Sequence, residues 1–246
     1  MIDNGLFLIM LAFLLVLLLS IFERKKVRSN FRVIPSFEQY QRAIHNIIES
    51  GEGAHITLGS GSILSPQAGS TLAAVELLAN LSRLCLNSDT APLATSGDGV
   101  VYLLALETMR STNRAMRFPR RSNINTTQIT GVSPFSYIAG AMLAQRYDHR
   151  ALAVALGSFG PEVGLLADSA ERIQAHTTSG TDNLLAQAVL YATNRSPLIG
   201  EEFFAASAYS QPDPVQAASL KTQDILRLMV VAAILIGAIL KVAGKL

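Results

Sequence analysis

The sequence predicts an α/β protein, a small Rossmann-like parallel-sheet domain flanked by N- and C-terminal transmembrane helices. Three observations carry this expectation. Short β-like runs alternate with longer helical stretches across the middle of the chain, the pattern of βα units. Loops rich in Gly, Ser, Thr and Asp follow those runs. Half of the 246 residues are hydrophobic, and the mean hydropathy of +0.34 traces largely to apolar stretches at the two ends. Only 15% of residues are charged, with a net charge of +2, which excludes a disordered chain and gives no footprint for nucleic acid. One cysteine excludes an internal disulfide framework and a multi-cysteine zinc site.

Gly5 to Phe22 is a leucine-rich apolar run. As a helix it reaches about 27 Å, close to the roughly 30 Å hydrocarbon core. Asp3 precedes it where a signal peptide carries Lys or Arg, and no small-residue cleavage site follows. Residues 5–22 therefore read as an uncleaved span and residues 23–32 as a basic juxtamembrane segment. Arg24, Lys25, Lys26 and Arg28, with Arg32, form the membrane-surface cluster and place the following domain on the cytoplasmic side. At the other end, Leu228 to Leu240 is uncharged between Arg227 and Lys241, and snorkelling of those cations extends it to a second span at 225–243. The expected location is the inner membrane of a bacterial cell, with the lipid bilayer as one partner.

Residues 33–224 form the expected cytoplasmic α/β domain. Ser36 is the predicted N-cap of a helix to Ile48, with Phe37, Tyr40, Ile44, Ile47 and Ile48 at helical spacing and Gly51 and Gly53 ending it. Five strands are predicted at residues 55–58, 92–95, 127–130, 151–156 and 173–176. Helices are predicted at 71–86, 100–114, 135–147 and 182–191, and a further one from Glu201 to Tyr209. Right-handed crossovers would lay the helices on the sheet faces.

In a parallel sheet the loops after the strands share the edge where ligands bind. Gly59, Ser60, Gly61 and Ser62 follow the first strand, and Gly97, Asp98 and Gly99 the second. Gly131 to Pro134 follow the third, Gly157, Ser158, Gly160 and Glu162 the fourth, and Thr178 to Asp182 the fifth. Glycine permits close backbone approach, and helix N-termini offer N–H donors to an anion. The same residues serve any βα connection as turns and caps. No loop matches G-x-G-x-x-G or the phosphate loop.

Asp98 and Glu162 are the acids placed for general acid–base work, or equally for the first turn of a helix. His45, His55, His149 and His176 show no ligand spacing, although His55 and His176 fall in predicted strands and would be able to approach one another. Cys85 sits in an apolar helix as a buried hydrophobe. The basic segment Arg114 to Arg121 reads as a solvated loop or an anionic-lipid contact. No serine–histidine–acid arrangement stands out, so no catalytic residue, metal or cofactor is assigned.

Three segments in order carry a family likeness. They are Leu58-Gly59-Ser60-Gly61, then Leu156-Gly157-Ser158-Phe159-Gly160, then Pro197 to Ala206 with its Gly-Glu-Glu-Phe-Phe-Ala-Ala core. With the two terminal runs, the chain resembles a bacterial two-span membrane-protein family, seen notably in Chloroflexota, known as a domain of unknown function. The resemblance implies the architecture and a bacterial source, and it supplies no activity or ligand. The expected function is a membrane-anchored assembly protein whose α/β domain forms a homo-oligomer or docks a partner complex. The alternative is a tethered sensor or carrier binding a nucleotide or small anion at the glycine loops.

Overall fold

The computed structural model describes residues 32–242 apart from 89, 116–125, 148–149, 195–196 and 212–213, together with six positions between Met10 and Ile21. The chain divides into two compact units, Arg32–Ser210 on one hand and Met1–Phe31 with Gln211–Leu246 on the other.

The first unit is built on five parallel strands, β1 (Ala54–Gly59), β2 (Leu93–Ser96), β3 (Thr127–Ile129), β4 (Leu152–Ser158) and β5 (His176–Gly180), in the order β3-β2-β1-β4-β5. This is the doubly wound arrangement, and its topological switch lies between β1 and β4. Helices α1 (Pro35–Ser50), α2 (Ala68–Leu84) and α3 (Gly99–Ala115) share one hydrophobic cluster with Ile56, Leu58 and Val154. Helices α4 (Pro134–Tyr147), α5 (Val163–Arg172) and α6 (Leu184–Thr193) form a second cluster with Ala155 on the opposite face. Strand β1 is buried along its whole length because neighbours and helices enclose it on all sides. That enclosure is the rule for parallel strands.

The first four strands fall within two residues of expectation. β5 is the exception. Residues Ile173 to Ala175 are the C-cap and turn after α5, with Gln174 in the left-handed region at φ 55, and the strand begins only at His176. Helix α5 was not among the expected helices, although Val163, Leu166, Ala167 and Ala170 mark its buried face. Helix α1 starts at Pro35 with Ile34 as N-cap, so Ser36 is a buried first-turn residue and not the cap. Proline suits that first position because its missing N–H would be unpaired there anyway. The expected helix from Glu201 is a 3-10 helix at Gly200–Ala205 followed by the short α7 (Ala206–Ser210).

The expectation of flanking transmembrane helices is corrected. Among the described residues no helix is long and apolar enough to cross a membrane. Helix α8 (Pro214–Val242) begins well before the apolar run and carries Lys221, Asp224 and Arg227 in that first part. Its charge-free stretch from Leu228 to Leu240 is about 20 Å long at 1.5 Å per residue, short of a roughly 30 Å core. Most of residues 5–22, and all of 23–31 with Arg24, Lys25, Lys26 and Arg28, lie outside the described residues. Arg32, read with that basic cluster, forms an ion pair with Glu202 at 2.9 Å.

Candidate docking edge of the sheet

All five βα loops stand at the carboxyl edge of the sheet, as the parallel topology requires. At its centre, β1 and β4 meet through glycine. The ladder shifts register between Thr57 and Gly59, so that Gly59 lies opposite Ser158. Gly59 has φ 87 and Gly157 φ 151, conformations that L side chains rarely adopt. A Cβ on Gly59 would strike the Ser158 carbonyl, and one on Gly157 would strike the Leu58 carbonyl. Gly61 is packed similarly, its added Cβ 2.6 Å from that of Ser158. Gly59 and Gly157 thus bring backbone against backbone, and Gly61 lies against the Ser158 side chain.

Hydrogen bonds then tie the loops together. Ser60 N–H donates to the Ser158 carbonyl at 3.1 Å, and Gly97 N–H to the Gly59 carbonyl at 3.0 Å. Tyr137 of α4 is the keystone. Its hydroxyl accepts from Gly59 N–H at 3.1 Å and donates to the Thr95 carbonyl at 3.2 Å, joining the ends of β1 and β2. Its ring is fully buried, and that burial raises the phenol pKa above its usual value.

The acids expected at this edge are engaged as caps and loop ties. Asp98 Oδ1 accepts from Val100 N–H at 2.9 Å and Val101 N–H at 3.0 Å, closing the start of α3. Glu162 is 8% exposed, and its Oε1 accepts from Gly160 N–H at 2.9 Å. Asn183 caps α6 through Leu185 and Ala186, and Asp182 accepts from Ser70 Oγ at 3.0 Å. Ser133 and Ser136 close the start of α4 on each other. Among the glycines of this edge, Gly99 has nothing within 4 Å of an added Cβ. The structure thus brings Gly59, Ser60, Gly61, Ser62, Gly97, Asp98, Gly99, Gly157, Ser158, Gly160 and Glu162 to one edge. Asp98 and Glu162 stand there over β2 and β4, on opposite sides of β1.

The remaining chemistry is quiet. His55 shares a hydrogen bond with Thr95 Oγ1 at 3.0 Å, and burial, helped by the charge of Arg150, lowers its pKa to about 3. It does not meet His176. β4 intervenes, and His55 pairs with Ala153 while His176 pairs with Leu152, which puts the two rings on opposite faces. Burial pushes the Cys85 thiol up to about 12, far from nucleophile range. Among the described residues no cluster of three or more His, Cys, Asp or Glu could hold a metal. Residues 116–121 of the basic segment, and His149, lie outside the described residues, and Arg114 pairs with Glu107 at 3.7 Å.

What the loops do expose is apolar. Leu64 after β1 is 88% exposed, Val132 after β3 83%, and Phe135 in the first turn of α4 68%. With half-exposed Val100 they dress the β1-β2-β3 half of the edge. Residues 60–67, 97–98, 130–133, 159–162 and 181–183 contain no Lys or Arg at all. Attention to glycine and acids passed over these side chains, although Ile63-Leu64 and Val132 inside polar loops are a legible anomaly. At the amino end of β5, a concavity of about 700 Å³ is lined by Arg42, Asn46, Glu171, Gln174, His176 and Thr177.

The chain belongs to the family described as Domain of unknown function (DUF6754), which matches residues 3–246. No curated protein and no solved structure matches the chain.

Proposed function

With that family membership as the premise, we propose that the α/β unit is a non-catalytic assembly module whose carboxyl edge docks an apolar surface of another protein. One observation carries the reading. Leu64 and Val132 on the loops, and Phe135 in the first turn of α4, stand exposed beside backbone and acid groups already engaged with one another. Exposed large apolar side chains gathered at one edge mark interaction surfaces. Burying three such residues would contribute roughly 1.5–3 kcal/mol each before the costs of association. A nucleotide or small anion at the same loops has less support. The loops hold Asp98, Glu162 and Asp182 and no cation, and the N-termini of α3 and α6 are capped by Asp98 and Asn183. The reading takes the domain as bacterial and cytoplasmic, on the resemblance of its motifs and its lone free cysteine.

The test is a native mass spectrum of the tagged full-length chain released gently from its own host. The expected result is a heteromeric mass that is not a multiple of the 26.4 kDa chain. Val132→Asp with Phe135→Asp should remove the partner while leaving the melting curve nearly unchanged, since both side chains are exposed. A chain that never carries another protein overturns the reading. So does a reproducible adduct of a few hundred daltons that survives both substitutions.

A further inference from the structure

β5 is the last strand of the sheet, and Leu198 covers its outer side only near Gly180, where Leu198 N–H donates to the Ser179 carbonyl at 2.7 Å. Among the described residues no strand pairs with the outer side of His176 to Thr178. His176 N–H donates inward to the Ala151 carbonyl at 2.7 Å, so the alternation along a parallel strand turns Thr177 N–H and C=O outward. The concavity of about 700 Å³ lies on this open edge, between Gln39, Arg42 and Asn46 of α1 and Ala167 and Glu171 of α5. One wall is fixed in place. Asn194, 9% exposed, accepts from Thr177 Oγ1 at 3.1 Å and donates to Ser179 Oγ. Gln174 supplies a second, independent sign. Among the described residues it is the non-glycine with positive φ, and it stands at the turn that ends α5. Its N–H donates to the Glu171 carbonyl at 2.9 Å and Ala175 N–H to the Ala170 carbonyl at 3.0 Å, a closure that helices commonly make on glycine. Glycine takes that conformation without strain, yet here a side-chain amide is kept there, among the residues lining the concavity.

We infer that this concavity binds a short free peptide in extended form, with its backbone paired to Thr177. Adding a strand to an open sheet edge supplies main-chain hydrogen bonds whatever the side chains are. The lining matches such a ligand group by group. Side-chain amides and hydroxyls dominate it, and these pair with peptide N–H and C=O. Arg42 and Glu171 bring one charge of each sign, suited to a terminal carboxylate and a terminal ammonium. Other ligand classes fit less well. The lining has no Phe, Tyr or Trp on which a base would stack. Glu171 offsets Arg42, which leaves no excess positive charge for a phosphate, and two alanines are too little apolar surface for a greasy molecule. The volume falls within the roughly 300–1,000 Å³ of small-molecule sites. This site lies at the amino ends of the strands, away from Leu64, Val132 and Phe135, and does not depend on the docking reading.

Calorimetric titration of the purified full-length chain with tri-alanine tests it. The expected result is saturable binding of one peptide per chain, weakened about tenfold by amidating the peptide's carboxyl end or acetylating its amino end. Arg42→Gln should weaken it to a similar degree. That side chain is 74% exposed and pairs only with Glu38 on its own helix, so the variant keeps the fold. Gln174→Gly separates a binding role from a structural one. It should raise the melting temperature by relieving the backbone and at the same time weaken tri-alanine binding. Val132→Asp with Phe135→Asp should leave the titration unchanged, which separates this site from the docking edge. A native chain that shows no saturable binding up to millimolar peptide overturns the inference. Binding indifferent to either blocked terminus, to Arg42→Gln or to Gln174→Gly overturns it equally.

Discussion

Tyr137 shows how one hydroxyl holds the carboxyl edge together, since a single oxygen serves the last residue of β1 and a carbonyl of β2. Tyr137→Phe keeps the ring packing and strands both partners in a buried setting. The expected cost is about 1–3 kcal/mol, read as a lower urea midpoint with unchanged m-value. His55 makes the second residue-scale prediction. Unfolded, its ring takes a proton near 6.5, and in the folded protein only near 3. Between those values the unfolded chain binds more protons, so acidification favours unfolding. The stability contributed by neutral His55 is complete above pH 6.5 and is lost as pH falls toward 3. His55→Gln should flatten a slope of up to about 1.4 kcal/mol per pH unit in that window, measured by denaturant titration at stepped pH.

At the scale of elements, the glycines separate into two kinds that the sequence cannot distinguish. Gly157 has φ 151 and no room for a Cβ beside Leu58, whereas Gly99 opens α3 with nothing within 4 Å. Gly157→Ala should therefore destabilise by about 1–3 kcal/mol or more. Gly99→Ala should be neutral or stabilise by about 0.4–1 kcal/mol, and paired thermal melts decide the contrast. A ligand-cradling role for both predicts no such split in the free protein. Legibility varied for similar reasons. β1 and β4 could be read because β-branched and apolar runs end at glycine. β5 was displaced because Ile173 and Ala175 imitate strand alternation while capping a helix. Helix α5 follows Gly160-Pro161 and is short, so its signal was masked by loop residues. The cap role of Asp98 was legible as one of two readings, and its bonds from Val100 and Val101 N–H show that role.

At the scale of the whole molecule, the α/β class and the parallel sheet were legible because the alternation of elements is a global pattern. The C-terminal helix was misjudged because a local apolar run was read without the polar turns that share its helix. In α8, Lys221, Asp224 and Arg227 precede the run in one continuous element. The strand order has a consequence for synthesis. β1 is the first strand to leave the ribosome, and one of its two neighbours, β4, follows about a hundred residues later. At about 5–20 residues per second, the most enclosed strand of the finished protein waits roughly 5–20 s with one edge open. A nascent chain stalled in that interval would present His55-Ile56-Thr57-Leu58 as a free template, and the cell's holding chaperones would be its first contacts.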